Sequence, residues 1–132
     1  MFGAHGEFQI CSQPPTMYLK LFGSFNNEGI NLLTNGVVNE LSMHPKGAVK
    51  FVVVNLEEFE LITVDSMDSL ETYFASVKER GYERVDYLYA NIIAKNMFEK
   101  VWNSSDVEVN FYKDSENYLQ QHPDDEYIKN YW

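Results

Sequence analysis

The side chains best suited to recognition or chemistry crowd into one stretch. From Phe51 to Val77 there is no lysine or arginine, yet Glu57, Glu58, Glu60, Asp65, Asp68 and Glu71 all fall within it. A run of carboxylates is first of all a solvated surface. Placed beside a helix start, it is also a negative patch that attracts a basic partner and speeds the encounter. Thr63, Ser66 and Ser69 put hydroxyls among these acids. A helix N-terminus can hold a phosphate through its free N–H groups and dipole, whereas neighbouring carboxylates repel one. The ordinary role of Ser66 or Ser69 is therefore to cap a helix. The acids do not follow the calcium-loop spacing, and no glycine supplies the turn such a loop requires, so no metal is expected.

Other chemistry is thinly represented. The phosphate-cradling glycine motifs and the Gly-x-Ser-x-Gly elbow are absent. His5, His44 and His122 are far apart and have no partner at ligand spacing, so they read as solvated surface residues. Cys11 alone makes neither a disulfide nor a zinc site and reads as a buried, inert thiol. Carboxylate acid–base catalysis by Glu58, Glu60, Asp65 and Asp68 would lack a nucleophile or metal beside it. The expectation is a protein that is not an enzyme, with no catalytic residues and no cofactor.

Charge narrows the partners. The chain has 132 residues, with 10 basic against 20 acidic side chains, a net charge of −10 and a pI near 4.6. That balance argues against nucleic acid and anionic membrane surfaces, both of which are bound through lysine and arginine. The N-terminal residues do not read as a signal peptide, and no apolar run approaches the ~20 residues of a membrane helix. A cytoplasmic location is expected, with no membrane insertion. With 45% hydrophobic residues the chain can bury a core. One domain over 1–132 is expected, its core spanning about 7–120 and a polar, aromatic tail filling 121–132. The aromatic end packs back on the domain or on a second copy, so a homodimer is one candidate assembly.

Periodicity supplies the elements that must position the acids. Glu7 to Ser12 and Met17 to Phe22 alternate as strands, with Pro14 and Pro15 turning the chain between them. Ile30, Leu33, Val37 and Leu41 share one face of a helix from Glu28 to Met43, and Gly36 within it marks close backbone packing. The run Val49 to Val54 reads as a strand buried on both faces at the centre of a sheet. Asn55 to Val64 then reads as a connection. Asp68 to Glu71 fits a capping box for a helix that ends near Arg80, with Gly81 as its stop. Val85 to Ala90 is a strand, and Ile92 to Trp102 a helix burying Ile93, Met97, Phe98 and Val101. Val107 to Tyr112 is a strand with one wet face, and Ser115 caps a short helix reaching about Gln120. Helices alternating with strands predict an α/β domain with a small mixed, largely parallel sheet of about five strands and about four helices.

The order of elements and the residues at their junctions resemble the STAS family, the sulfate-transporter and anti-sigma-factor-antagonist domains. Asn55-Leu56-Glu57-Glu58 after Val52-Val53-Val54 is similar to the family's central strand and the acidic turn that follows. The stretches Val77 to Glu83, Ile93 to Val101, Val107 to Tyr112 and Ser115 to Asn117 resemble its later junctions, so the likeness runs from about Met17 to Gln120. The resemblance implies a STAS-like fold and a regulatory module of the bacterial signalling type. Its partner would be a protein with a basic surface, such as a kinase or an anti-sigma-like regulator. The contact surface would be the acidic loop and helix start around 57–71, carrying Glu57, Glu58, Glu60, Thr63, Asp65, Ser66 and Asp68. Antagonist members carry Asp-Ser-Ser-Gly at this helix start and are phosphorylated on the first serine. An ungapped count from Asn55 places that tetrad on Thr63-Val64-Asp65-Ser66, so valine stands at the acceptor position and Ser66 is the fallback acceptor. Members without the phosphosite imply an alternative, a pocket for a small or lipid-like ligand between helices and sheet, lined by Tyr73, Phe74, Phe98 and Trp102.

Overall fold

A computed structural model of the chain describes residues 3, 5–63, 66, 81–103 and 105–132. In chain order the described elements are β1 (Glu7–Gln13), β2 (Thr16–Phe25), α1 (Asn27–Ser42), β3 (Phe51–Ile62), β4 (Arg84–Leu88), α2 (Ile92–Trp102), β5 (Glu108–Tyr112), α3 (Ser115–Gln121) and α4 (Glu126–Tyr131). The strands form one sheet in the order β1-β2-β3-β4-β5, antiparallel between β1 and β2 and parallel elsewhere. This is the mixed, largely parallel α/β architecture expected from the alternation of strand and helix periods. The expected capping box and helix at 68–80 lie outside the described residues.

β3 sits at the centre of the sheet with both faces covered, as its β-branched run requires. Val52, Val54 and Leu56 face a core shared with Ile30, Leu33 and Val37 of α1 and with Ala94, Phe98 and Trp102 of α2. Val53 faces the other way, into a smaller cluster with Tyr18, Leu88, Tyr118 and Ile128. The second face is thus closed by the C-terminal pair α3–α4. The 121–132 segment, read as a tail, contains a helix whose start is capped by Asp125 and whose Ile128 is buried. The same cover buries Tyr18, on the side of β2 that alternation alone leaves wet.

Several local expectations are corrected in detail. β3 does not stop at Val54. It runs on to Ile62 beside the long β2, so Asn55 to Ile62 is strand rather than connection. In α2 the buried stripe is Ala94, Phe98 and Trp102, with Met97 and Val101 only half-buried and Ile93 exposed. The Trp102 indole N–H donates to the Tyr87 hydroxyl at 2.9 Å, and the Tyr87 ring stacks on Phe98 at 4.4 Å. Those two contacts rotate the helix by about one residue from the face chosen on hydrophobicity. Asp114, not Ser115, caps α3 by accepting from the Asn117 N–H. Gly36 does mark close packing: a Cβ there would lie 2.7 Å from the Phe8 ring of β1.

One carboxylate fastens the second face. Asp125 accepts from the Tyr18 hydroxyl at 2.9 Å and from the Tyr118 hydroxyl at 2.8 Å, and also takes the Ile128 N–H at 3.0 Å. Tyr18 in turn stacks on Tyr127 with ring centroids 4.1 Å apart. Burial, and then the hydrogen bond to Asp125, push both the Tyr18 and the Tyr118 phenol well above the ordinary value near 10. A raised folded-state value means that this stability is complete below pH 10 and is lost as pH climbs toward the folded value. Above pH 10 the unfolding free energy is expected to fall by about 1.4 kcal/mol per pH unit for each of the two phenols. Urea melts of the wild type and Tyr118→Phe at successive pH values test this. The variant loses about half of that slope; equal slopes would mean that Tyr118 is not held un-ionised by the fold.

Candidate interaction site

The acids expected at the surface do not lie in a loop. Beyond Asn55, β3 has passed the end of β4, whose last partner is Leu88, and continues paired only with β2 among the described residues. This two-stranded arm contains two irregularities, where β3 advances by three residues while β2 advances by two. Each leaves one extra residue on β3, which is the signature of a bulge. The first is stapled from within: the Asn55 side chain, only 1% exposed, accepts from the Glu57 N–H at 2.9 Å. The amide satisfies a donor that the interrupted ladder would otherwise leave open. Bulges bend and twist an edge and so discourage pairing with another chain.

The arm turns the expected site residues in two directions. Glu57, Glu58 and Glu60 are exposed, while Phe59 between them is buried in the main core beside Phe25 and Phe98. Glu58 forms an ion pair with Lys20 of β2 at 3.4 Å, and Glu60 accepts from the Ser24 hydroxyl at 2.9 Å. Pairs this exposed contribute at most about 1 kcal/mol, so the carboxylates stay available for an incoming cation. Thr63 is half-buried; its N–H donates to the Phe25 carbonyl at 3.0 Å, and its hydroxyl meets the Ser66 hydroxyl at 2.7 Å. Ser66 is fully buried and its N–H returns to the Thr63 carbonyl at 3.0 Å. In this position the Ser66 hydroxyl does not face solvent. Asp65 and Asp68 lie outside the described residues, so the arm brings together Glu57, Glu58 and Glu60 with Thr63 and Ser66 behind them.

Apolar side chains share this end of the sheet. Leu61 on the arm is 49% exposed, and Ile92 and Ile93, which open α2 just after β4, are 75% and 72% exposed. No periodicity rule singles them out, because a helical stripe that includes Ile93 reads as core. Asn55 was legible only as a polar interruption of a β-branched run. Its place in the bulge depends on β2 being long enough to pair beyond β4.

The cavity enclosed by the described core residues offers little room for a ligand. Phe98 and Trp102 line an apolar cavity of about 50 Å3 between the sheet and its helices, whereas small-molecule sites occupy roughly 300–1,000 Å3. Tyr73 and Phe74 lie outside the described residues. No group of three or more metal-ligating side chains occurs among the described residues, and no described helix is long and apolar enough to cross a membrane.

No family model matches the sequence, and no curated protein matches it significantly. Solved structures match its fold. The unphosphorylated form of the anti-sigma factor antagonist SpoIIAA superposes over 89% of this chain and 99% of its own, with a TM-score of 0.61 at 13% identity. The fold is SpoIIAA-like. An uncharacterized DUF3478-family protein with a SpoIIAA-like fold, from Shewanella loihica PV-4, superposes over 92% of this chain and 96% of its own at TM-score 0.63 and 14% identity. The phosphorylated form of the Bacillus cell fate determinant SpoIIAA covers 88% and 99%, at TM-score 0.59 and 13% identity. The STAS-like architecture suggested by the junction residues is therefore present across nearly the whole chain.

Two substitutions test the arm. Asn55→Ala removes the acceptor for the Glu57 N–H inside a buried strand and is expected to cost about 1–3 kcal/mol in chemical denaturation. Ser66→Asp forces a charge into a site with no described cation and is expected to cost more, roughly 3–5 kcal/mol, while Ser66→Ala costs about 1 kcal/mol. Equal stability of Ser66→Asp and Ser66→Ala would show that residue 66 is not enclosed in solution.

Proposed function

We propose that this chain is a non-enzymatic regulatory module that acts by protein–protein interaction through the acidic arm of β3 and the helix start beyond it. The observation that carries the reading is the placement of Glu57, Glu58 and Glu60 in solvent on a bulged arm of a SpoIIAA-like sheet. Hydrogen bonding to β2 and the Asn55 staple fix the backbone that carries these carboxylates, so little backbone order is lost when a partner's lysines or arginines meet them. Leu61, Ile92 and Ile93 supply apolar contact area at the same end of the sheet, and the acids form its charged border. Asp65 and Asp68 extend this surface in sequence. The partner is a protein with a basic face, of the kinase or anti-sigma-regulator kind that an antagonist-like fold suggests, and the module works in the cytoplasm. A second copy of the same acidic face would be repelled, so a homodimer would have to use another surface.

In the same reading Ser66 is a modification site only in a state in which the Thr63–Ser66 turn has opened. A phosphate there adds about two negative charges to a rim that is already acidic, which would weaken a basic partner's grip. By the ungapped count from Asn55, valine stands at position 64 where the resemblance implies a phosphorylated serine, which favours constitutive binding over a phosphorylation switch.

The test uses the whole chain. Wild type and Glu57→Lys/Glu58→Lys/Glu60→Lys are immobilised and exposed to lysate of the source cells, with circular dichroism confirming that both are folded. Proteins retained by the wild type are expected to elute with rising salt and to be lost, by about tenfold or more, from the charge-reversed chain. Retention of the same proteins by both forms would remove the arm from the interaction.

A further inference from the structure

At the opposite end of the sheet three polar side chains are joined in series. Ser12 lies near the end of β1, Glu40 in the last turns of α1, and His44 just past that helix. The Ser12 hydroxyl oxygen is 2.6 Å from Glu40 Oε1 and 2.6 Å from His44 Nε2, and the Ser12 N–H reaches the same Glu40 oxygen at 3.2 Å. A hydroxyl has one proton to donate, and a carboxylate only accepts. The Ser12 proton therefore goes to Glu40, and His44 Nε2 must carry the proton that Ser12 Oγ accepts. This fixes the imidazole's orientation and its tautomer. Nδ1 is left as the ring nitrogen with no hydrogen bond among the described residues.

The same imidazole lines an open cleft of about 340 Å3. Val38, Leu41 and Val49 give it an apolar surface, and Lys46 and Tyr82 stand beside His44 around it. Its size falls at the lower end of the range for small-molecule sites, unlike the interior cavity. Lys46 forms no ion pair among the described residues. In a chain of net charge −10, a lysine and an oriented imidazole over apolar side chains form a local exception to the acidic surface.

We propose that this cleft binds a small organic acid with an apolar body. Its carboxyl group pairs with His44 Nδ1 through one shared proton and with the Lys46 ammonium through its other oxygen, and its hydrocarbon part lies on Val38, Leu41 and Val49. The ligand is a carboxylate near neutral pH, so the shared proton is taken up from solvent as the ligand binds, and Nδ1–H then donates to the carboxylate oxygen. Ser12 and Glu40 are positioning residues: they touch no ligand and act by holding the imidazole with Nδ1 free. The site is separate from the acidic arm and does not depend on the interaction proposed for it.

Sodium hexanoate is the probe, added to the isotopically labelled full chain and followed by two-dimensional NMR. The amides of residues 38–49 and Tyr82 are expected to shift together, with a dissociation constant on the order of 1 mM. His44→Gln and Lys46→Ala are each expected to weaken binding about fivefold or more. In the free protein the His44 ring is expected to show the Nε2–H tautomer, and Ser12→Ala to yield a mixture of tautomers without unfolding the chain. Hexan-1-ol binding as tightly as hexanoate would reduce the cleft to an apolar notch and overturn the proposal. So would an Nδ1–H tautomer in the wild type, shifts confined to other parts of the sheet, or no shift up to about 10 mM hexanoate.

Discussion

A strand of consecutive β-branched residues at the centre of a sheet cannot present either face to water without exposing valines. Val52 and Val54 point one way and Val53 the other, so both sides of β3 must be roofed. Two separate parts of the chain do this. The described helices that connect successive parallel strands, α1 and α2, cover one side, where their buried stripes pack on the strand residues of the main core. When neighbouring strands follow chain order and every crossover has the usual right hand, the connecting helices all fall on that one side. The opposite side is then left to whatever follows the last strand, which here is α3 and α4. The Asp125 clasp on Tyr18 and Tyr118 is the polar fastening of that second roof.

The same geometry explains the arm. β2 and β3 outrun β4, so beyond Asn55 the strand β3 has one described strand neighbour instead of two, while Phe59 still reaches back into the main core. A flat ribbon of this kind would invite pairing along its free edge. Two bulges and three exposed glutamates make it a poor template for another strand.

The sequence carried the order of the five strands, the central position of the valine run, the main buried stripe of α1 and the reason for Gly36, because each follows from a local period or a local steric need. It did not carry the length of β3. Asn55, Glu57, Glu58 and Glu60 look like the start of a loop, and only the reach of β2 keeps them in a strand. The rotation of α2 was also hidden, since Ile93 is more hydrophobic than Ala94, and the choice between them is made by the Trp102–Tyr87 hydrogen bond across distant parts of the chain. The acids were legible as a cluster, but not which of them face water. His44 looked like an isolated surface histidine, because nothing local reveals that Ser12, 32 positions earlier, comes to lie against it.

The C-terminal roof also has a consequence for how the protein comes into being. Val53 and Ile128, which meet in the second cluster, are separated by about 75 residues, and at ordinary ribosomal speeds roughly 4–15 s pass between their syntheses. Through the later part of that interval, once Leu88 has been made, the nascent sheet carries an uncovered strip formed by Tyr18, Val53 and Leu88 while its other face is already being packed. Newborn chains are therefore most vulnerable to chaperone capture or mutual sticking just before the last helix emerges, and substitutions at Asp125 or Ile128 would lower yield in cells by more than their effect on the finished protein implies.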